Sequence, residues 1–226
     1  MIDIENGSAI LIDKPYTWTS FQAVNKVKYK ITHHYGKKIK IGHAGTLDPL
    51  ATGLLIICIG KYTKKIEEFQ NTDKEYTGSF TLGATTPSYD LEHPVDETFP
   101  TDHITEEAIY ETAKQFVGIQ DQVPPLFSAK WVDGKRAYKL ARENQDVVLK
   151  AKEIEIKEFE ITSIDLPIVN FRIVCTKGTY IRSIARDFGL NLQSGAYLSS
   201  LCRTRIGDFH LKDATKIEDI ETLFLQ

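Results

Sequence analysis

No apolar run in this 226-residue chain exceeds six residues, Leu54 to Ile59, whereas a membrane-spanning helix needs roughly 20. The first residues, MIDIENGSAILID, carry acids where a signal peptide carries cations, so no secretory or transit segment is expected. Cysteine is scarce. Cys58, Cys175 and Cys202 form no close pair and no even set, which predicts reduced thiols and a cytoplasmic setting instead of a disulfide framework. Neither G-x-x-x-x-G-K-[ST] nor G-x-G-x-x-G occurs, so both common phosphate-cradling loops are missing. There is no H-E-x-x-H, no Cys/His cluster and no G-x-S-x-G elbow, and His33 and His34 are adjacent, a poor spacing for sharing a metal. The expectation is chemistry without cofactor or metal.

What is present is an ordinary globular composition, 42% hydrophobic and 26% charged, which excludes a disordered or fibrous chain. The length is enough for a real core and suggests one or two domains. The net charge of −3 argues against a general nucleic-acid binder, but the average conceals an asymmetry. Residues 1–65 hold ten Lys against four acids, net +6, and residues 66–126 hold two Lys against thirteen acids, net −11. Residues 127–210 are net +4 and the last sixteen are net −2. Two basic segments around an acidic middle can build one cationic groove on a surface that otherwise repels polyanions; a solvated mosaic is the competing reading.

The hydrophobic pattern predicts a short strand at Ala9–Ile12. A helix follows from Thr19 or Ser20 to about Ile31, with Phe21, Val24, Val27 and Ile31 at helical spacing. Leu54–Gly60 reads as a buried strand, Tyr62–Gln70 as a short helix and Lys74–Ala84 as an alternating strand. Thr85–His103 reads as an exposed acidic loop, and Thr105 caps a helix to Phe116 with Ile104 and Ile109 as a staple. Gln122–Phe127 is a proline-rich loop and Arg136–Glu143 is helical. Val147–Ile164 and Ile168–Thr176 form a hairpin, Thr179–Gly189 a helix, Leu198–Phe209 a strand, and Ile217–Leu225 a last short helix. Helices and hairpins are interspersed without strict strand–helix alternation. This predicts an α+β fold with a mixed, largely antiparallel sheet flanked by helices and loops. A single domain, 1–226, with an acidic excursion at about 85–126, is expected.

The densest anomaly is IGHAGTLDPLATGL, residues 41–54. Three glycines and a proline make an irregular backbone across 42–53, and Asp48 is its only acid. Pro49 biases Asp48 away from helix. A carboxylate mounted this way can serve as nucleophile or base, although a lone Asp-Pro is more often an Asx-turn.

This stretch resembles the G-H-x-G-T-L-D-P-x-A-x-G-x-L motif of the TruB family, the bacterial tRNA pseudouridine synthases. Further segments are similar to that family in the same order. They begin with Asp13-Lys14-Pro15 and Thr19-Ser20-Phe21, then Lys74-Glu75-Tyr76 with Leu82-Gly83 and Thr85-Thr86…Asp90. Gln122-Val123-Pro124-Pro125 follows, with Phe127-Ser128-Ala129-Lys130 and Gly134…Arg136-Ala137-Tyr138. The last are Lys177-Gly178-Thr179-Tyr180-Ile181-Arg182-Ser183 and Gly195-Ala196-Tyr197-Leu198…Leu201-Cys202-Arg203-Thr204. Two features depart from the pattern: Thr17 stands where the family usually has Gly, and the chain ends about twenty residues after Arg205, where many relatives continue into a PUA domain.

The resemblance implies the pseudouridine synthase fold and isomerisation of uridine 55 in the T-loop of tRNA by base flipping, without a cofactor. It implies that Asp48 is the catalytic aspartate and that Arg182 pairs with it and keeps it ionised. Tyr76 stacks on the target base and assists proton abstraction. Tyr180 and Leu201 wall the uracil pocket, and His43 takes the space vacated by the flipped nucleotide. Lys14, with Pro15, supports the active-site tyrosine and is grouped with these on the substrate side. Lys26, Lys28, Lys30, Lys37, Lys38, Lys40, Lys64 and Lys65 are candidates for phosphate contacts along the T stem-loop. No membrane and no protein partner is implied, so a monomer is expected. A tRNA-folding module without catalysis, an enzyme of the same fold acting on other RNA, and a glycoside hydrolase are the competing readings. The hydrolase lacks a second motif-embedded acid near Asp48.

Overall fold

The computed structural model describes residues 2–128, 131–132, 135–136 and 149–224. In chain order its strands are β1 (Ser8–Lys14), β2 (Ile41–Ala44), β3 (Thr52–Ile59), β4 (Lys74–Leu82), β5 (Ala84–Thr85), β6 (Glu97–Thr98) and β7 (Gly118–Gln122). They continue as β8 (Trp131–Val132), β9 (Lys135–Arg136), β10 (Lys152–Asp165), β11 (Ile168–Cys175), β12 (Ala196–Ile206), β13 (Phe209–His210) and β14 (Thr215–Lys216). The helices are α1 (Ser20–Tyr35), α2 (Ile66–Gln70), α3 (Glu106–Gln115) and α4 (Ile181–Asn191), with 3-10 segments at Gly60–Lys65, Leu211–Asp213 and Ile217–Phe224. The chain forms two compact units, residues 1–77 with 201–226, and residues 78–200; β4 and β12 each give one half to either unit.

In the first unit β1 lies antiparallel to β3, from Ser8 opposite Ile59 to Lys14 opposite Gly53. β2 pairs antiparallel with the far end of β3, and the end of β12 runs parallel to its start, Arg203 opposite Gly53. The apolar run in β3 is continuous because both of its faces are covered. Leu55, Ile57 and Ile59 pack with Ala23, Val24, Val27 and Ile31 of α1, while Leu54, Ile56 and Cys58 pack with Ala44, Phe69 and Ile206. Burial pushes the Cys58 thiol up to about 11, which keeps it inert. Thr19 caps α1, and the Gln22 side chain bonds back to the Thr19 N–H as a capping box, worth about 1 kcal/mol.

Two expectations change here. Phe21 is not on the inward face of α1 but 69% exposed; Ala23 is buried there beside Val24. The segment 42–53 is not wholly irregular either. Pairing with β3 turns Ile41–Ala44 into a strand and β3 itself begins at Thr52, so only 45–51 is loop.

In the second unit the strand order is β12–β4–β11–β10–β7. Its core is aromatic: Phe80 stacks on Phe171 with ring centroids 4.3 Å apart, and Phe116, Phe159 and Phe188 surround them. α3 packs on β10 and α4. Ile104 and Ile109 are both buried at the start of α3, as a staple requires.

The polar stretch GIQDQ, read as no element from sequence, is a strand because β10 offers it a ladder from Ile156 opposite Gly118 to Lys152 opposite Gln122. The acidic stretch after Thr85 is not simply an exposed loop: β5 and β6 pair within it, and Thr86, Ser88 and Asp90 are buried. Of the helix expected at Arg136–Glu143, Arg136 stands in β9 and the rest lies outside the described residues. The pairings are largely antiparallel, and among the described residues no helix is long and apolar enough to cross a membrane.

Candidate active site

Asp48 sits half-buried in the loop 45–51 of the first unit, between the buried side chains of Leu47 and Ala51. The Ala51 N–H donates to the Asp48 carbonyl at 3.1 Å, closing a tight turn over Pro49 and Leu50. A loop of this kind lacks a ladder for its own backbone groups, and buried side chains take that place. The Ser20 hydroxyl accepts from the Leu47 N–H at 2.8 Å and donates to the Leu47 carbonyl at 3.1 Å. Lys14 is completely buried, and its ammonium donates to the carbonyls of Trp18 at 2.6 Å, Pro15 at 3.0 Å and Pro49 at 3.4 Å. Arg203 donates to the carbonyls of Leu54 at 2.8 Å, Gly45 at 3.1 Å and Thr46 at 3.4 Å.

Burial pushes Lys14 down to about 8; the nearby Asp48 carboxylate pulls it back up, and Arg203 adds to the depression. The turn that carries Lys14 bonds includes Thr17 at φ +69°, so the residue standing in place of glycine adopts the left-handed conformation that glycine prefers. Gly53 is required for space as well as conformation: at φ +102°, a Cβ there would lie 2.5 Å from the Arg203 carbonyl oxygen.

His43 lies in β2, and its Nδ1 is buried without a hydrogen-bond partner among the described residues. Burial lowers its pKa, opposed by the Gly45 backbone, and Arg203 lowers it further. Tyr76 is half-buried in β4. Its neighbour Glu75 accepts from the Thr204 hydroxyl at 2.7 Å, so side chains as well as sheet pairing hold this part of β4 to β12. Leu201 lies half-buried in β12, and its carbonyl accepts from the Thr52 hydroxyl where the loop joins β3.

In the second unit Tyr180 immediately precedes α4, and it offers no side-chain cap to that helix. Gln122 supplies the interaction instead. Its amide accepts from the Tyr180 N–H at 2.8 Å and donates to the Tyr180 carbonyl at 3.1 Å. Ser183 adds a bond to the Val123 carbonyl at 2.8 Å. Arg182 is buried, with its Nε 3.5 Å from an Asp90 carboxylate oxygen, and it donates to the carbonyls of Ser88 at 3.2 Å and Phe127 at 3.0 Å.

The predicted residues thus fall into two groups. Lys14, His43, Asp48, Tyr76 and Leu201 belong to the first unit, and Tyr180 and Arg182 to the second. Sequence reasoning gave no role to Ser20, Asp90, Gln122 or Arg203, although each stood inside a quoted motif. No local pattern singled out Arg203, which stands between Cys202 and Thr204 like a surface arginine on an alternating strand. Of the lysines proposed for phosphate contact, Lys26, Lys28, Lys37, Lys38, Lys40, Lys64 and Lys65 are exposed, while Lys30 forms an ion pair with Glu221.

Comparison with known proteins finds that residues 32–181 match the TruB family pseudouridylate synthase N-terminal domain. The chain is 59% identical over 213 residues to a protein of Flavobacterium johnsoniae named tRNA pseudouridine synthase B, covering 93% of each. It is 55% identical over 218 residues to a protein of the same name from Phocaeicola vulgatus, covering 96% of this chain and 93% of that one. Among solved structures, a chain in a Cbf5-Nop10-Gar1 complex is similar at a TM-score of 0.73 and 27% identity; 98% of this chain covers 56% of that one, about half its length.

Proposed function

The chain belongs to the TruB family of pseudouridylate synthases, and from that premise we propose how its residues divide the work. It is a tRNA pseudouridine synthase, an isomerase: the bond between uracil N1 and the ribose breaks, the base turns, and C5 is joined to the sugar. The proposed target is uridine 55 in the T-loop, extruded from its stack at a cost of a few kcal/mol. Asp48 is the carboxylate that acts at the base or the sugar, and Arg182 is its cationic partner in the reaction. Tyr76 stacks on the base and assists loss of the C5 proton. Tyr180 and Leu201 wall the pocket, His43 fills the space the nucleotide leaves, and Lys14, with Pro15, supports the active-site tyrosine. The exposed lysines of residues 26–65 meet phosphates of the T stem-loop. The chain works as one catalytic domain and as a cytoplasmic monomer without a cofactor.

The observation that carries this reading is the mounting of Asp48: a single acid in a turn whose backbone is held by three buried side chains, Lys14, Ser20 and Arg203. Such preorganisation suits a group that must meet a reacting atom. The test is tritium release from a T stem-loop carrying 5-tritiated uridine at position 55 alone. Asp48→Asn is expected to abolish release while binding stays within about 1–2 kcal/mol, because the carboxylate acts in the chemistry and not in docking. Turnover by Asp48→Asn above a hundredth of wild type removes Asp48 from this role, and no release from the wild-type protein removes position 55.

A further inference from the structure

Arg203 is 1% exposed, and its three hydrogen bonds go to carbonyls, never to a carboxylate, among the described residues. A buried cation without an acid partner is costly to keep, and an apolar side chain would fill the same core more cheaply. What an apolar side chain lacks is donors. The guanidinium is a rigid plane with five N–H groups in fixed directions. Here that plane reaches Gly45 and Thr46, just before Asp48, and Leu54, just after the loop has closed into β3. One flat group therefore ties the two ends of the Asp48 loop to each other. The Arg203 backbone is also paired with Gly53, at a position where no Cβ fits. Lys14 and Ser20 hold the middle of the loop at Pro49 and Leu47.

We propose that Arg203 is a positioning residue for the isomerisation: its planar fork sets the span of the segment 45–54 and with it the place of the Asp48 carboxylate. The proposal rests on the reading of Asp48 as the reacting carboxylate. Misplacing a reacting group by about 1 Å can cost a hundredfold in rate. Loss of the fork should therefore slow the chemical step much more than it weakens RNA binding.

The experiment uses the full chain with Arg203→Lys, which keeps the charge and loses the plane, and Arg203→Ala, which leaves a space for an added guanidinium. Single-turnover tritium release, T stem-loop affinity and melting temperature are measured for each, with Asp48→Asn as comparator. Arg203→Lys is expected to bind within threefold of wild type and to react at least thirtyfold more slowly. Arg203→Ala should be slower still and regain at least fivefold in rate with millimolar n-propylguanidinium, with no matching change in affinity. A rate for Arg203→Lys within threefold of wild type overturns the proposal. So does a loss of rate, affinity and melting temperature in parallel with no response to the added guanidinium, or failure of both variants to fold, since either makes Arg203 a core residue only. If Asp48→Asn is inactive while Arg203→Lys is normal, this inference alone fails. If Asp48→Asn turns over, the reading of Asp48 fails.

Discussion

The loop 45–51 and the start of α4 meet the same problem with different chemistry. Each presents candidate functional side chains from backbone that no ladder supports, Asp48 in one and Tyr180 with Arg182 in the other. The loop directs carbonyls inward, so its partners are donors: two buried cations, Lys14 and Arg203, and the Ser20 hydroxyl. The helix start needs both an acceptor and a donor, and the neutral amide of Gln122 provides both. Their buried arginines differ in the same way. Arg203 faces carbonyls, whereas Arg182 has the Asp90 carboxylate beside it. The first arrangement places unneutralised charge in the interior, and the second pairs it. The loop should accordingly respond to pH and to small steric changes, and the helix start mainly to loss of hydrogen bonds.

The largest effect is expected from Gly53→Ala. Its Cβ would lie 2.5 Å from the Arg203 carbonyl oxygen at φ +102°, which costs about 3 kcal/mol or more in a urea titration. Gly36→Ala is the control: φ is +64° but nothing lies within 4 Å, so only about 1–2 kcal/mol should be lost. Equal losses would mean that Arg203 is not tightly seated against the loop.

Lys14 sharpens the contrast in charge. Its folded pKa is lowered to about 8 from the ordinary 10.5 by burial. Between those values the unfolded chain binds the extra proton, so unfolding free energy rises with pH, by up to about 3 kcal/mol over the whole window. Below pH 8 the cost of the buried ammonium is fully present. Cys58, raised to about 11, acts in the opposite direction at higher pH, so the informative quantity is the slope from about pH 7.5 to 9. Wild type should gain stability relative to Lys14→Met across that range. Identical slopes would show that Lys14 keeps its proton in the folded protein across that range, so that burial does not lower its pKa.

Gln122→Ala removes both bonds to Tyr180 and should cost about 1–3 kcal/mol, with the pH slope of the wild type unchanged. A changed slope would erase the distinction between the two regions. The smallest effect is a gain. Thr17 is β-branched at φ +69°; Thr17→Gly should stabilise the protein by about 0.5–1 kcal/mol, the strain relieved slightly exceeding the entropy glycine brings to the unfolded chain. A lower melting temperature would show that the Thr17 side chain makes contacts worth more than its strain.

Much of this was legible in the residues themselves. Local signals act over three or four positions, and they located the Thr19 cap, the Thr105 cap with its Ile104 and Ile109 staple, and the β10–β11 hairpin. Phe21 misled because the inward place in the first turn of α1 belongs to Ser20, in line with Val24, Val27 and Ile31, and Phe21 lies about 100° further round the helix. The strands β2 and β7 were invisible because Gly42, His43 and the polar 118–122 have weak strand preference and exist as strands only through β3 and β10. In the site, the glycines, Pro49 and a lone acid marked the loop around Asp48. Nothing local distinguished Arg203, about 150 positions away in sequence, from a surface arginine on an alternating strand.

Composition, periodicity and motif spacing by themselves determined an α+β chain with no spanning helix, a buried β3 and a loop built around Asp48, because these depend on neighbours along the chain. Tertiary structure alone decided that Lys14, Ser20 and Arg203 converge on that loop, that Gln122 completes the start of α4, and that Arg182 lies against Asp90. The physical reason is that unsatisfied carbonyls and N–H groups of irregular backbone accept whichever buried donor or acceptor the fold brings within about 3 Å. That distance is set by strand pairing and packing between segments far apart in sequence.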